Sequence, residues 1–387
     1  MATVDVQKTL PVEILEHIVK DVLDARRRRF KLIANLSRAA RQLRTIALRA
    51  YFSSITLESA ERVRALENIP GVDVWARALR APLHAVMDAR LPTPLQAYRN
   101  LHTLALSCAS FNIRSLPSKL LPLFSSPLPP TLRTLALVAL PHITARVLDA
   151  IAHACPSLDA LALSVVERLD SETCCWDCYE ESESSILHSP VGQQYKDLST
   201  LVTAYARALR PLQHLRHLSL GIFLSPQRVL ADHIDLHTAK RQSWRTIGSP
   251  SADSVSAPQT PCPHGATPRP AKLGEYRWIG VDGPLAAGSG PFVFKPFPPA
   301  ECVRCFETWS AQVRGDELLA AIGIAQELKR LETIRWSSWF SGRADKAEGG
   351  VDEEEVGWDG ATDGRWTKVW VQRENGRVRV ARKAWSE

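Results

Sequence analysis

Apolar residues recur in two rhythms along the 387-residue chain. Near the N-terminus the rhythm is helical. Leu15, Ile18, Val19 and Val22 stand at i, i+3, i+4 and i+7, which predicts one apolar stripe on a helix beginning at Leu10-Pro11. Proline suits a first helical turn, where its missing N–H would be unpaired anyway. A second helical run carries Leu36, Ala39, Ala40 and Leu43 at the same spacing, flanked by Leu32 and Ala47. Arg38, Arg41 and Arg44 fall largely off that stripe, where long side chains reach water.

The second rhythm is a repeat. Five segments share the beat L-x-x-L-x-L or a close variant: Leu101-His-Thr-Leu104-Ala-Leu106, Leu132-Arg-Thr-Leu135-Ala-Leu137, Leu158-Asp-Ala-Leu161-Ala-Leu163, Leu215-Arg-His-Leu218-Ser-Leu220 and Leu331-Glu-Thr-Ile334-Arg-Trp336. The last two apolar positions alternate with the residue between them, so they share one face of a short strand; the first lies in the turn before it. Helical spacing returns between the strands, at Val147, Ala150, Ile151 and Ala154 and again at Leu198, Leu201, Val202, Tyr205 and Leu209. Alternating strand and helix under such a beat resembles a leucine-rich-repeat solenoid. Start-to-start offsets of 31, 26, 57 and 116 residues make it irregular, and the last requires an insertion. Ala109, Leu140, Val166 and Phe223 occupy the position where such repeats carry Asn or Cys, which argues against an asparagine ladder.

The insertion is expected over 221–300. Ser249 to Pro270 is rich in Ser, Pro, Thr and Ala without a period, which predicts a mobile loop over 249–270. Tyr276-Arg-Trp278-Ile279 and Phe292-Val-Phe294 are candidate strands, and a helix is expected from about Glu301 to Leu328. At the C-terminus, Trp366, Lys368, Trp370 and Gln372 alternate with Thr367, Val369 and Val371, and Asn375-Gly376 supplies a two-residue turn. The return strand carries Val378 and Val380, so the tail predicts a hairpin that closes the end of the repeat core.

The N-terminal residues resemble an F-box. The matching positions are Leu10-Pro11-Val-Glu13-Ile14-Leu15 and Ile18, then Leu36-Ser37-Arg38-Ala-Ala-Arg41, and the exit Tyr51-Phe52-Ser-Ser-Ile55-Thr-Leu57. The run Arg26–Arg29, with Phe30 and Leu32 after it, departs from the family pattern, as does the absence of a late tryptophan. Followed by the repeats, the module is similar to the F-box/leucine-rich-repeat proteins of the type fungi encode. The resemblance implies an α/β fold with an F-box-like helical module over 8–57. A degenerate leucine-rich-repeat domain follows over 58–340, then an acidic linker and hairpin over 341–387. It further implies a substrate receptor of a Skp–cullin–F-box ubiquitin ligase, without catalytic residues or cofactor. Leu10, Pro11, Ile14, Leu15, Ile18, Leu36 and Ser37 would face a Skp-type adaptor, and the repeats an unidentified target protein.

Composition narrows the alternatives. No stretch approaches the ~18 unbroken apolar residues of a membrane helix, and Asp5 and Glu13 stand where a signal peptide would be basic and apolar. Eight cysteines are too few for a disulfide scaffold, which points to the cytoplasm or nucleus. The formal net charge of +7 is patchy: nine Lys/Arg and no acid from Ala25 to Leu57, seven acids and one Arg from Glu167 to Glu183, and a further acidic run at Asp352–Glu355. A basic nucleic-acid-binding protein is therefore an alternative, though one lacking the basic–aromatic interleaving of RNA modules. A repeat scaffold outside any ligase is another. Cys175-Trp-Asp-Cys178 and Cys302-Val-Arg-Cys305 supply four thiols of the kind that hold zinc, but pairs so far apart in sequence leave free structural cysteines as the expectation. His233 and His237 lack the glutamate of a metalloprotease motif.

Overall fold

Each of the five repeated segments delivers a strand to one sheet. In the computed structural model these are β3 (Thr103–Ser107), β4 (Thr134–Leu140), β5 (Ala160–Val165), β6 (His217–Phe223) and β7 (Thr333–Ser337). The structure describes residues 11–24, 30–88, 95–109, 111, 116–125, 128–165, 189–192, 194–225, 229, 303–338, 340 and 366–383. Two further strands precede the five, β1 (Ser54–Thr56) and β2 (Ala78–Pro82), and two follow, β8 (Trp366–Glu374) and β9 (Arg377–Ala381). Among the described residues the protein is mixed α/β, with ten α-helices and a nine-stranded sheet whose spatial order follows the chain from β1 to β9. The pairs from β1 to β7 are parallel; β7–β8 and β8–β9 are antiparallel.

The register explains the beat. Leu79, Leu104, Leu135, Leu161, Leu218 and Ile334 stand side by side, and Val369 of β8 continues the row; each is at most 2% exposed. Two residues on, Ala81, Leu106, Leu137, Leu163, Leu220 and Trp336 make a second buried row. Both rows share one core with α8 (Ala145–Ala154), α9 (Leu198–Leu209) and α10 (Val303–Glu327), through Ile151, Tyr205 and Ile324 among others. The helices therefore cover one face of the sheet. Thr144 and Asp197 cap α8 and α9, accepting from the N–H of Val147 and Thr200. A Cβ at Gly323 would stand 2.4 Å from Cγ1 of Val202, so glycine lets α9 and α10 approach closely.

The turns before the strands form a ladder of their own. One carbonyl in each accepts two successive N–H groups of the next: Arg77 from His102 and Thr103, His102 from Arg133 and Thr134, Arg133 from Asp159 and Ala160, Asp159 from Arg216 and His217, Arg216 from Glu332 and Thr333. The 57- and 116-residue offsets leave this ladder unbroken.

The tail forms the expected hairpin. Asn375 (φ 51°) and Gly376 (φ 76°) make its turn, and Thr367 and Val369 face inward. Arg373 lies across the end of α10 and donates to the carbonyls of Ala325 (2.9 Å), Leu328 (2.6 Å) and Leu331 (2.8 Å). Arg382 pairs with Glu317, whose carboxylate is fully buried on α10. The expected loop over 249–270, the candidate strands at 276–279 and 292–294, both acidic runs and His233 and His237 lie outside the described residues.

Candidate functional site

Three helices precede the sheet: α1 (Val12–Asp24), α2 (Phe30–Ala39) and α3 (Arg41–Phe52). They build a small core of their own from Val19, Leu23, Ile33, Ile46 and Ala47, with Leu15, Leu36, Ala50 and Tyr51 packed against it. Arg49 of α3 pairs with Glu16 of α1. Phe30 meets Tyr51 edge-on at 5.4 Å, and Tyr51 meets Phe52 at 5.1 Å; Phe52 belongs to the core of the sheet, so the aromatic chain ties module to scaffold.

The stripe of α1 divides: Val19 is buried and Leu15 and Val22 are half-buried, while Ile18 is 43% exposed, and Leu23 is enclosed with Val19. The core draws on residues four apart, Leu15, Val19 and Leu23, leaving Ile18 on the flank. The second helical run is two helices, not one. The backbone of Ala40 is extended (φ −155°, ψ 151°), so Ala39 and Ala40 lie at an exposed break between α2 and α3.

Pro11, Ile14 and Ile18, spaced i, i+3 and i+7, lie on one side of α1 and are exposed; Val12, also exposed, stands at the helix start in the row of Leu15 and Val19. Four of the seven large hydrophobics exposed among the described residues lie in this module: Val12, Ile14, Ile18 and Phe30. Scattered exposed aliphatics are ordinary; their concentration on α1 and α2 makes this module the candidate site. Of the residues expected to face a partner, Pro11, Ile14 and Ile18 do point to solvent. Leu15 and Leu36 are half-buried against the module core, where they support the face. Ser37 is half-buried and donates its hydroxyl to the Ala34 carbonyl at 2.8 Å, a local helix contact. Leu10 lies outside the described residues. Val12 and Phe30 are not among the residues expected to face a partner; Val12 falls in the row of Leu15 and Val19, so its spacing marks it as core.

Cys305 is buried with Phe223, Val229, Val313 and Phe340, while Cys175, Cys178 and Cys302 lie outside the described residues. Burial pushes the thiols of Cys108 and Cys155 up to about 12. Among the described residues no three His, Cys, Asp or Glu side chains are grouped to hold a metal ion, and no helix is long and apolar enough to cross a membrane. No protein-family model matches the chain, and no curated protein matches it in sequence.

Proposed function

We propose that this protein is a substrate receptor of a Skp–cullin–F-box ubiquitin ligase, with α1–α3 as an F-box and the strand–helix repeats as an irregular leucine-rich-repeat domain. The observation that carries the reading is the exposed Pro11–Ile14–Ile18 face on a three-helix module joined directly to a repeat scaffold. Ile14 and Ile18 are 46% and 43% exposed, so burying the remainder against an adaptor helix would contribute about 1 kcal/mol each, the helix-in-groove mode of many peptide-scale contacts. The sheet, held rigid by its ladders, would then present a target to the conjugating enzyme. Such a receptor forms and breaks no bond. It raises effective concentration, to the ~mM range for a well-matched tether. Co-expression with a Skp-type adaptor tests the reading: a stoichiometric complex on size exclusion is expected, and two separate peaks would overturn it.

A further inference from the structure

The turns before the early strands carry a basic row. Arg77, His102 and Arg133 occupy successive rungs of the turn ladder, at the N-terminal edge of β2, β3 and β4, and Arg99 belongs to the same turn as His102. All four are exposed. Among the described residues none of the three arginines pairs with an acid. The Arg133 guanidinium donates to the Ser157 carbonyl at 3.0 Å, which uses one of its five N–H groups. The turns beneath these side chains are tied together. Asn100 donates to the Val74 carbonyl at 2.7 Å, and Thr131 to the carbonyls of Arg99 (3.0 Å) and Leu101 (2.9 Å). A strand spacing of about 4.8 Å spreads the three rungs over about 10 Å. The basic run then stops: the next rung is Asp159, and the two after it, Arg216 and Glu332, pair with each other.

We infer that this edge of the sheet binds a short acidic peptide segment in extended conformation. Alternate side chains of an extended chain stand about 7 Å apart on one side. Two acids separated by one residue therefore reach Arg77 and Arg133, while Arg99 and His102 on the middle rung offer further donors. Arginine meets a carboxylate with a planar two-donor fork. The cross-tied turns hold all three rungs in place before the peptide arrives, which lowers the ordering cost of binding. A nucleic acid fits less well. Its phosphates continue past the basic rungs, and a strand lying along the row would bring them to Asp159 and Glu332. Trp75 and Tyr98, the aromatics of these turns, are packed against the core rather than open for base stacking. The site lies on the sheet, not on α1, and does not depend on adaptor binding.

Fluorescence anisotropy with the purified full-length chain tests this, using a fluorescein-labelled peptide alternating Glu and Gly, its Gln counterpart, and a labelled oligothymidylate. The Glu peptide should bind saturably and the Gln peptide should not. Arg77→Gln/Arg133→Gln should weaken binding about tenfold or more, whereas Arg207→Gln/Arg304→Gln, which removes the same charge from exposed positions on α9 and α10, should leave it within about twofold. Hydrogen exchange of the wild-type chain, which needs no variant to fold, should show peptide-dependent protection at residues 99–103 and 131–134. The proposal is overturned if the wild type does not bind the Glu peptide, or if binding comes without that protection and survives the Arg77/Arg133 change. Tighter binding of oligothymidylate, lost in the same variant, would overturn it in favour of a nucleic-acid face.

Discussion

Arg216 and Glu332 are 116 residues apart in the chain and adjacent in the fold. The Arg216 carbonyl accepts from the Glu332 N–H at 2.8 Å, and their side chains pair at 3.7 Å. The same carbonyl accepts from Thr333 at 3.0 Å, completing the turn ladder that every earlier strand uses. Among the described residues, the contacts that set this register come from residues up to 225 and from 303 onward. Replacing residues 231–300 with a short Gly/Ser linker should therefore leave the melting temperature unchanged or higher, since a shorter connection costs less entropy to close. A large fall on thermal denaturation would show that the replaced residues hold the sheet together.

The closing hairpin should be a structural cap. Arg373 satisfies three carbonyls at the C-terminal end of α10, and Val369 fills the last place in the buried ladder. Truncation after Gly364 should lower both solubility and melting temperature by exposing Ile334 and Trp336. The milder Arg373→Met should cost about 2 kcal/mol or more, because the carbonyls lose charged donors. Chemical denaturation of both proteins gives the answer; midpoints within error of wild type would remove the capping role.

How far this architecture could be read from the chain follows from particular residues. Leucine at every beat made β3 to β6 plain, and Asn375-Gly376 made the hairpin plain, because only a few residues accept a positive φ at both turn positions. β1 and β2 keep the same beat in altered letters. Phe52-Ser-Ser-Ile55-Thr-Leu57 and Ala76-Arg-Ala-Leu79-Arg-Ala81 put buried Phe and Ala where the later segments have Leu. A search for leucines passes over both, and residues 52–57 instead read as the exit of the helical module. The break at Ala40 carries no local signal, since Ala39 and Ala40 are good helix formers; the fold imposes it. Likewise the side of α1 that turns inward is decided by the partners Ile33, Ile46 and Ala47, which a stripe of four positions cannot reveal.

Stability should depend on pH through Glu317. Burial raises its pKa against the pull of Arg382 and of hydrogen bonds from Ser338, Arg382 and Thr367. The folded protein then retains a proton that the unfolded chain has released, so this group's contribution falls as pH rises from about 4.3 towards the raised value. Glu317→Gln lacks that proton equilibrium. Its melting temperature relative to wild type should climb as pH is raised through this window. Parallel curves for the two proteins would contradict the assignment.

Cys108 and Cys155 should be unreactive in the native protein. Their thiols are enclosed and pushed up to about 12, so almost no thiolate exists near neutrality. Peptide mapping after iodoacetamide treatment at pH 8 should find both unmodified without denaturant and both alkylated in urea. Modification of either under native conditions would mean that its part of the core opens readily.

The central claim is that α1 docks an adaptor through Ile14 and Ile18. Isothermal titration of a purified Skp-type adaptor into the full-length chain measures it directly. Ile14→Asp places a carboxylate in the contact, where burial of an unpaired charge costs several kcal/mol. Because Ile14 is 46% exposed in the free protein, the substitution should leave the melting temperature nearly unchanged. The account predicts saturable binding by the wild type and no detectable heat with the variant. Binding of the variant with wild-type affinity would contradict it.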